Sequence, residues 1–128
     1  MKFFFDNNLA PKLAKGLNGF VSPEHQVVHL KEQFPANAAD VEWMKALAKE
    51  KDLIIVTADT NIGKNPHEIE AWKEAGHTIF FLKSGWLKLR FWDQAQKFVK
   101  CFPEIIATAQ RAKAGASFIV SVNGKIEG

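Results

Sequence analysis

Leu53-Ile54-Ile55-Val56-Thr57 is a run of five apolar or β-branched residues with no polar interruption. A strand with one wet face alternates apolar with polar side chains, so this run predicts a strand covered on both faces, as at the centre of a parallel sheet. Other runs repeat the theme: Phe3-Phe4-Phe5, Gln26-Val27-Val28-His29-Leu30, Thr78-Ile79-Phe80-Phe81-Leu82 and Ser117-Phe118-Ile119-Val120-Ser121-Val122. Stretches of helical spacing separate them. Leu9, Leu13 and Leu17 predict a first helix ended by Gly16 and Gly19. Val41, Met44, Leu47 and Ala48 form one face of a helix that opens near Asp40, and Pro66 starts another through Ile69 and Trp72, stopped by Gly76. From Leu89, the residues Trp92, Ala95, Phe98, Val99 and Phe102 predict the core face of a long helix, which Pro103 should bend or split before Ile105, Ile106 and Ala109. Asn123-Gly124 predicts a hairpin turn with a short return. Alternating β and α elements imply an α/β fold: a three-layer α/β/α sandwich around a mostly parallel sheet.

The chain has 128 residues, the size of a single domain spanning 1–128. No stretch approaches the roughly 20 apolar residues of a membrane helix, and the run at Phe3 is too short for the apolar core of a secretory signal. Cys101, the only cysteine, has no thiol partner for a disulfide or a structural zinc site, which favours a reducing, cytoplasmic home. Seventeen Lys and Arg against 14 Asp and Glu give a net charge of +3, compatible with nucleic acid without demanding it. The placement of the acids is more informative than their number.

Asp6 and Asp59 each follow an apolar strand directly or within two residues, at the edge where open α/β sheets bind ligands. If the first and third strands are neighbours, their ends lie about 5 Å apart, and Asp40 at the start of a helix can project over the same crevice. Three clustered carboxylates repel unless a cation or protons neutralise them, and hard oxygen ligands of this kind select Mg2+ or Mn2+. Taken singly, each acid serves equally well as a helix cap or turn former: Asp6-Asn7-Asn8 at the first helix, Asp40 in a first helical turn, Asp59 in a plain turn.

The segments Lys2-Phe3-Phe4-Phe5-Asp6-Asn7-Asn8-Leu9, Val28-His29-Leu30, Asp40-Val41-Glu42-Trp43 and Ile55-Val56-Thr57-Ala58-Asp59 resemble, in order and spacing, the motifs of PIN-like domains of the VapC toxin type. The resemblance covers at least residues 1–86. It implies a metal-dependent ribonuclease, the toxin of a toxin-antitoxin pair, with Asp6, Asp40 and Asp59 as catalytic metal ligands. It also implies Glu42 as a rival to Asp40, and secondary positions at Asn8, Thr57 and Asn61. Asn61 stands where larger PIN domains often carry a fourth acid. The expected partners are therefore an RNA substrate and an antitoxin protein, with a homodimer as a further expectation.

Other signals are weaker. Lys83 to Trp92 interleaves cations with rings after the fourth strand, where substrate would arrive. Phe91 and Trp92 are expected to begin the core face of the long helix, which leaves Lys64 and Lys83 as the better phosphate contacts. His29, His67 and His77 show no metal-ligand spacing, and Cys101 is expected to be a small core residue. Two other functions compete: a receiver-like domain phosphorylated on Asp59, and a catalytically silent PIN-like module that binds RNA or protein. The receiver reading needs two adjacent acids after the first strand, whereas Asp6 is followed by two amides.

Overall fold

The computed structural model describes residues 1–34, 42, 46, 50, 53–58, 70 and 74–128. Three consecutive phenylalanines open the fold as β1 (Lys2–Phe5), and all three are 0% exposed. Complete burial of a Phe side chain contributes about 1.5–3 kcal/mol as an upper figure, so β1 is a strong local anchor for its neighbours.

The chain then turns into α1 (Pro11–Val21). Proline suits the first helical position because its missing N–H would have had no intrahelical acceptor. Leu13, Ala14 and Leu17 form its buried face. Gly16 and Gly19 do not end this helix, contrary to the sequence expectation. Both are exposed, where a glycine costs about 1 kcal/mol but removes no core contact. The stop comes from Ser22, whose N–H and hydroxyl both donate to the Asn18 carbonyl at 3.0 and 2.6 Å, ahead of Pro23.

β2 (Gln26–His29), β3 (Leu53–Thr57), β4 (Thr78–Leu82), β5 (Ser117–Val120) and β6 (Ile126–Glu127) complete a six-stranded sheet in the order β2-β1-β3-β4-β5-β6. The first five strands are parallel, and β6 returns antiparallel to β5. Gly124 in that hairpin has φ +89°, a conformation that disfavours side chains with a Cβ. β3 is buried at all five positions, as its unbroken apolar run predicts.

On one face of the sheet, Phe3, Phe5, Ile54, Val56 and Phe80 pack with α1 and with α2 (Phe91–Arg111). Ring contacts tie β1 to α2 directly: Phe3 lies 5.0 Å from Phe102, and Phe5 lies 5.5 Å from Phe98, between centroids. The opposite face is also covered, with Phe4, Ile55 and Ile79 at 0% exposure. Of the helices expected from Asp40 and from Pro66, the described residues are 42 and 46 in the first and 70, 74 and 75 in the second, all helical, and the rest lie outside the described residues.

Two expectations for α2 need correction. Of the bend or split expected at Pro103, the split does not occur, since the helix is continuous from Phe91 to Arg111. Proline removes the hydrogen bond to the Val99 carbonyl, but both residues are on the exposed side, where water can serve that carbonyl. Phe98, Cys101, Phe102 and Ile105 meanwhile hold the buried face. That face also differs from the expected one, because Trp92 and Val99 are 81% and 47% exposed. Gln94 takes the inward position, its side-chain amide donating to the Trp86 carbonyl at 3.0 Å.

Candidate active site

The order β2-β1-β3 makes the gap between β1 and β3 a topological switch point, since the chain leaves β1 toward one side and later returns on the other. The register Phe5 to Val56 brings Asp6, the first residue beyond β1, alongside Thr57. Its N–H continues the ladder to the Val56 carbonyl at 3.1 Å. Asp6 is 3% exposed and its carboxylate is held at both oxygens. The Thr57 hydroxyl donates to Oδ2 at 2.7 Å, and the Asn7 N–H donates to Oδ1 at 2.6 Å. Both bonds aim the group.

The helix-cap alternative for Asp6-Asn7-Asn8 is not what the chain adopts. The N-cap of α1 is Ala10, without a side-chain cap bond. Asn8 instead reaches across to β3, accepting from the Ala58 N–H at 3.2 Å. The Asp6–Leu9 turn is closed by the Leu9 N–H on the Asp6 carbonyl at 3.0 Å. Buried His29 secures its far end. Because the Lys31 N–H donates to Nδ1 at 3.1 Å, the ring proton resides on Nε2, which donates to the Leu9 carbonyl at 2.6 Å. His29 is thus a strut beneath the turn and not a metal ligand. Sequence reading missed this role because the partner is a backbone carbonyl 20 residues away.

The structure therefore brings Asp6, Asn8 and Thr57 together. Asp40, Asp59, Asn61 and Lys64 lie outside the described residues, and Glu42 is exposed. Among the described residues, no three His, Cys, Asp or Glu side chains gather as a metal site. The donor chemistry at Asp6 nevertheless fits a hard divalent cation: a buried, oriented carboxylate with a hydroxyl partner behind it.

Two strands from β1, the segment after β4 leaves the same edge. Lys83 is exposed and its N–H donates to the Val120 carbonyl at 3.0 Å. A 3-10 turn at Ser84–Lys88 then buries Trp86 completely, with its indole N–H on the Val120 carbonyl at 3.2 Å and its ring 4.7 Å from Phe98. A Cβ at Gly85 would lie 2.5 Å from Val122 Cγ2, so glycine lets Val122 sit against the turn without shifting. Lys88, Arg90 and Trp92 face solvent. Cys101, expected in the core, is 8% exposed, and burial pushes its thiol up to about 11. No helix among the described residues is long and apolar enough to cross a membrane.

Comparison with known proteins bears on the family and the fold. No curated protein and no solved structure matches the chain. A family model described as a PIN-like domain matches residues 1–84, from β1 through the end of β4, which includes Asp6, Thr57 and Lys83. That span is well over half of the chain, and the mostly parallel sheet has the α/β form of the family. The chain belongs to the PIN-like domain family, a superfamily of the nuclease type.

Proposed function

We propose that this chain is a metal-dependent endoribonuclease that cuts single-stranded RNA. The observation that carries the reading is the Asp6 carboxylate, buried at the β1–β3 switch point and held at both oxygens inside the family-matched region. A buried carboxylate aimed by two hydrogen bonds is a hard oxygen donor of fixed orientation, which suits a divalent cation. Mg2+ or Mn2+ held by Asp6 with Asp40 and Asp59, or with Glu42 in place of Asp40, would activate water and stabilise charge on the phosphate. Thr57 orients Asp6, Asn8 fixes the turn to β3, and Asn61, Lys64 and Lys83 complete the expected polar surroundings. Residues 85–127 extend the same sheet through β5 and β6, which supports reading residues 1–128 as one PIN-like domain.

As a biological setting we propose the toxin of a type II toxin-antitoxin pair, acting in the cytoplasm and neutralised by an antitoxin protein, with homodimer formation as part of that reading. The decisive experiment measures cleavage of single-stranded RNA with manganese and with EDTA, for wild type and Asp6→Asn. Thermal melts of the same samples add a readout independent of turnover. A cation that binds only the folded state at a hundredfold excess over Kd adds about 2.7 kcal/mol. Manganese should stabilise wild type and not Asp6→Asn, and only wild type with metal should cut. Cleavage unaffected by EDTA, or an equal manganese shift in both proteins, overturns the assignment. Arrest of growth on expression, relieved by a neighbouring small gene, is the corresponding test of the toxin setting.

A further inference from the structure

Trp92 occupies a position that core packing does not explain. It lies in the first turn of α2, 81% exposed, while Gln94 and Phe98 turn inward from the same stretch. Phe91 beside it is half-buried and meets Trp92 edge to face, with centroids 5.7 Å apart. Lys12, in the first turn of α1, places its ammonium 4.0 Å from the Phe91 ring centre. These residues form one end of a groove of about 680 Å3 between the two helices, whose lining includes Gly16 and Phe20. A Cβ at Gly16 would touch nothing within 4 Å, so the groove is open on that side.

The charged residues lining the groove are Lys12 and Asp93, one of each sign, and the excess of cations lies beside it, on α1 and on the exposed segment that leads into α2. α1 contributes Lys12 and Lys15 and no acid, while residues 83–93 contribute Lys83, Lys88 and Arg90 against Asp93 alone. Both helices begin where β1 and β4 end, so their positive dipole ends and these cations share the edge that carries Asp6. An exposed indole with cations around it suits a polyanion whose flat apolar groups are accessible. Single-stranded nucleic acid has that character, because each unpaired base offers a π-face and each linkage a phosphate. A duplex keeps its base faces stacked inside.

We propose that Trp92 is a stacking platform for one unpaired base of the RNA, with Lys12, Lys88 and Arg90 engaging the flanking phosphates. The proposal rests on the ribonuclease reading, which takes single-stranded RNA as the substrate, and adds the residue that holds one of its bases. The groove continues past Phe20, so a protein segment or a second copy of this chain is the competing occupant. The cation excess beside the Trp92 end favours RNA.

The test is equilibrium binding of a short labelled oligouridylate in EDTA, so that affinity is read without cleavage, across a salt series. Trp92→Ala should weaken binding roughly tenfold or more, as for loss of one stacked base, without changing the salt slope. Trp92→Phe should retain most of the affinity, and Arg90→Ala should lower the slope by about 0.7. Duplex RNA should be indifferent to Trp92→Ala. The inference is overturned if Trp92→Ala binds oligouridylate like wild type, or if wild type binds no single-stranded RNA. It is equally overturned if Trp92→Ala only converts a dimer to a monomer in sedimentation, which would give the groove to a second copy. Cleavage in manganese is scored separately. RNA that is cut but bound without regard to Trp92 removes this inference alone, whereas RNA bound through Trp92 but never cut removes the catalytic reading alone.

Discussion

The turn after β1 and the segment after β4 leave the same edge of one sheet, yet they are built in opposite ways. Residues 6–9 form a closed polar lattice. Asp6 is held by Thr57 and Asn7, Asn8 is tied to β3, and Leu9 is propped by His29. Residues 83–92 bury one ring, Trp86, and deliver the rest of their cations and Trp92 to solvent. The first arrangement suits a group that must keep one orientation, as a metal ligand must. The second suits a surface that meets a flexible chain, where cations and a ring contribute wherever a phosphate or base arrives. One edge thus combines a rigid acid with an adaptable basic flank.

The largest effect should come from comparing the two tryptophans of the second region. Trp86→Ala removes a fully buried ring and the bond to Val120, and should cost about 3–5 kcal/mol in urea denaturation. Trp92→Ala should change stability by no more than about 0.5 kcal/mol. Equal losses would erase the distinction between an anchor and a surface platform.

Next comes Asp6→Asn, expected to reduce cleavage about a hundredfold, or ~2.7 kcal/mol of transition-state stabilisation, while circular dichroism stays native. Wild-type turnover in this variant would make the turn a purely structural lattice. Thr57→Val preserves shape and removes the hydroxyl that holds Oδ2. Manganese affinity should fall about tenfold by calorimetry, and Thr57→Ser should restore most of it. If valine binds metal as well as threonine does, the carboxylate is oriented without this bond.

The smallest effect concerns Cys101, far from both regions in role. Its thiol is raised from 9.0 to about 11 chiefly by burial, with its own backbone and Lys97 opposing. A raised folded value means that the native state holds the proton more tightly than the unfolded chain. The associated stability is complete below about pH 9 and is lost as pH rises through about 11. Wild type should therefore lose slightly more stability than Cys101→Ala between pH 8 and pH 11 in parallel melts, and native alkylation at pH 8 should be slow.

The sheet was legible in the sequence because burial on both faces leaves a direct trace. Leu53–Thr57 and Phe3–Phe5 have no polar alternation, and each occupies a covered strand. Asp6 was legible for a related reason, since a charge placed directly after such a run stands at the ligand edge. Thr57 was found from the motif order, although only the register of β1 on β3 shows that its hydroxyl reaches Asp6. Helix limits and faces were less legible. Gly16 and Gly19 read as stops, but local propensity differences near 1 kcal/mol yield to a buried face such as Leu13, Ala14 and Leu17.

What the sequence determined by itself is the alternation of strand and helix, the mostly parallel sheet, and acids that follow its apolar strands, whereas the pairing of β1 with β3 came from the structure. The first three follow from one-dimensional patterns of burial and charge. Tertiary structure alone decided that His29 supports Leu9, that Asn8 ties to β3 rather than capping α1, and that Trp86 goes inward while Trp92 goes outward. Each of those outcomes depends on a partner distant in sequence. A side chain's hydrogen-bond capacity or apolar area is the same wherever it stands, and only the packed neighbours determine which of its possible contacts is made.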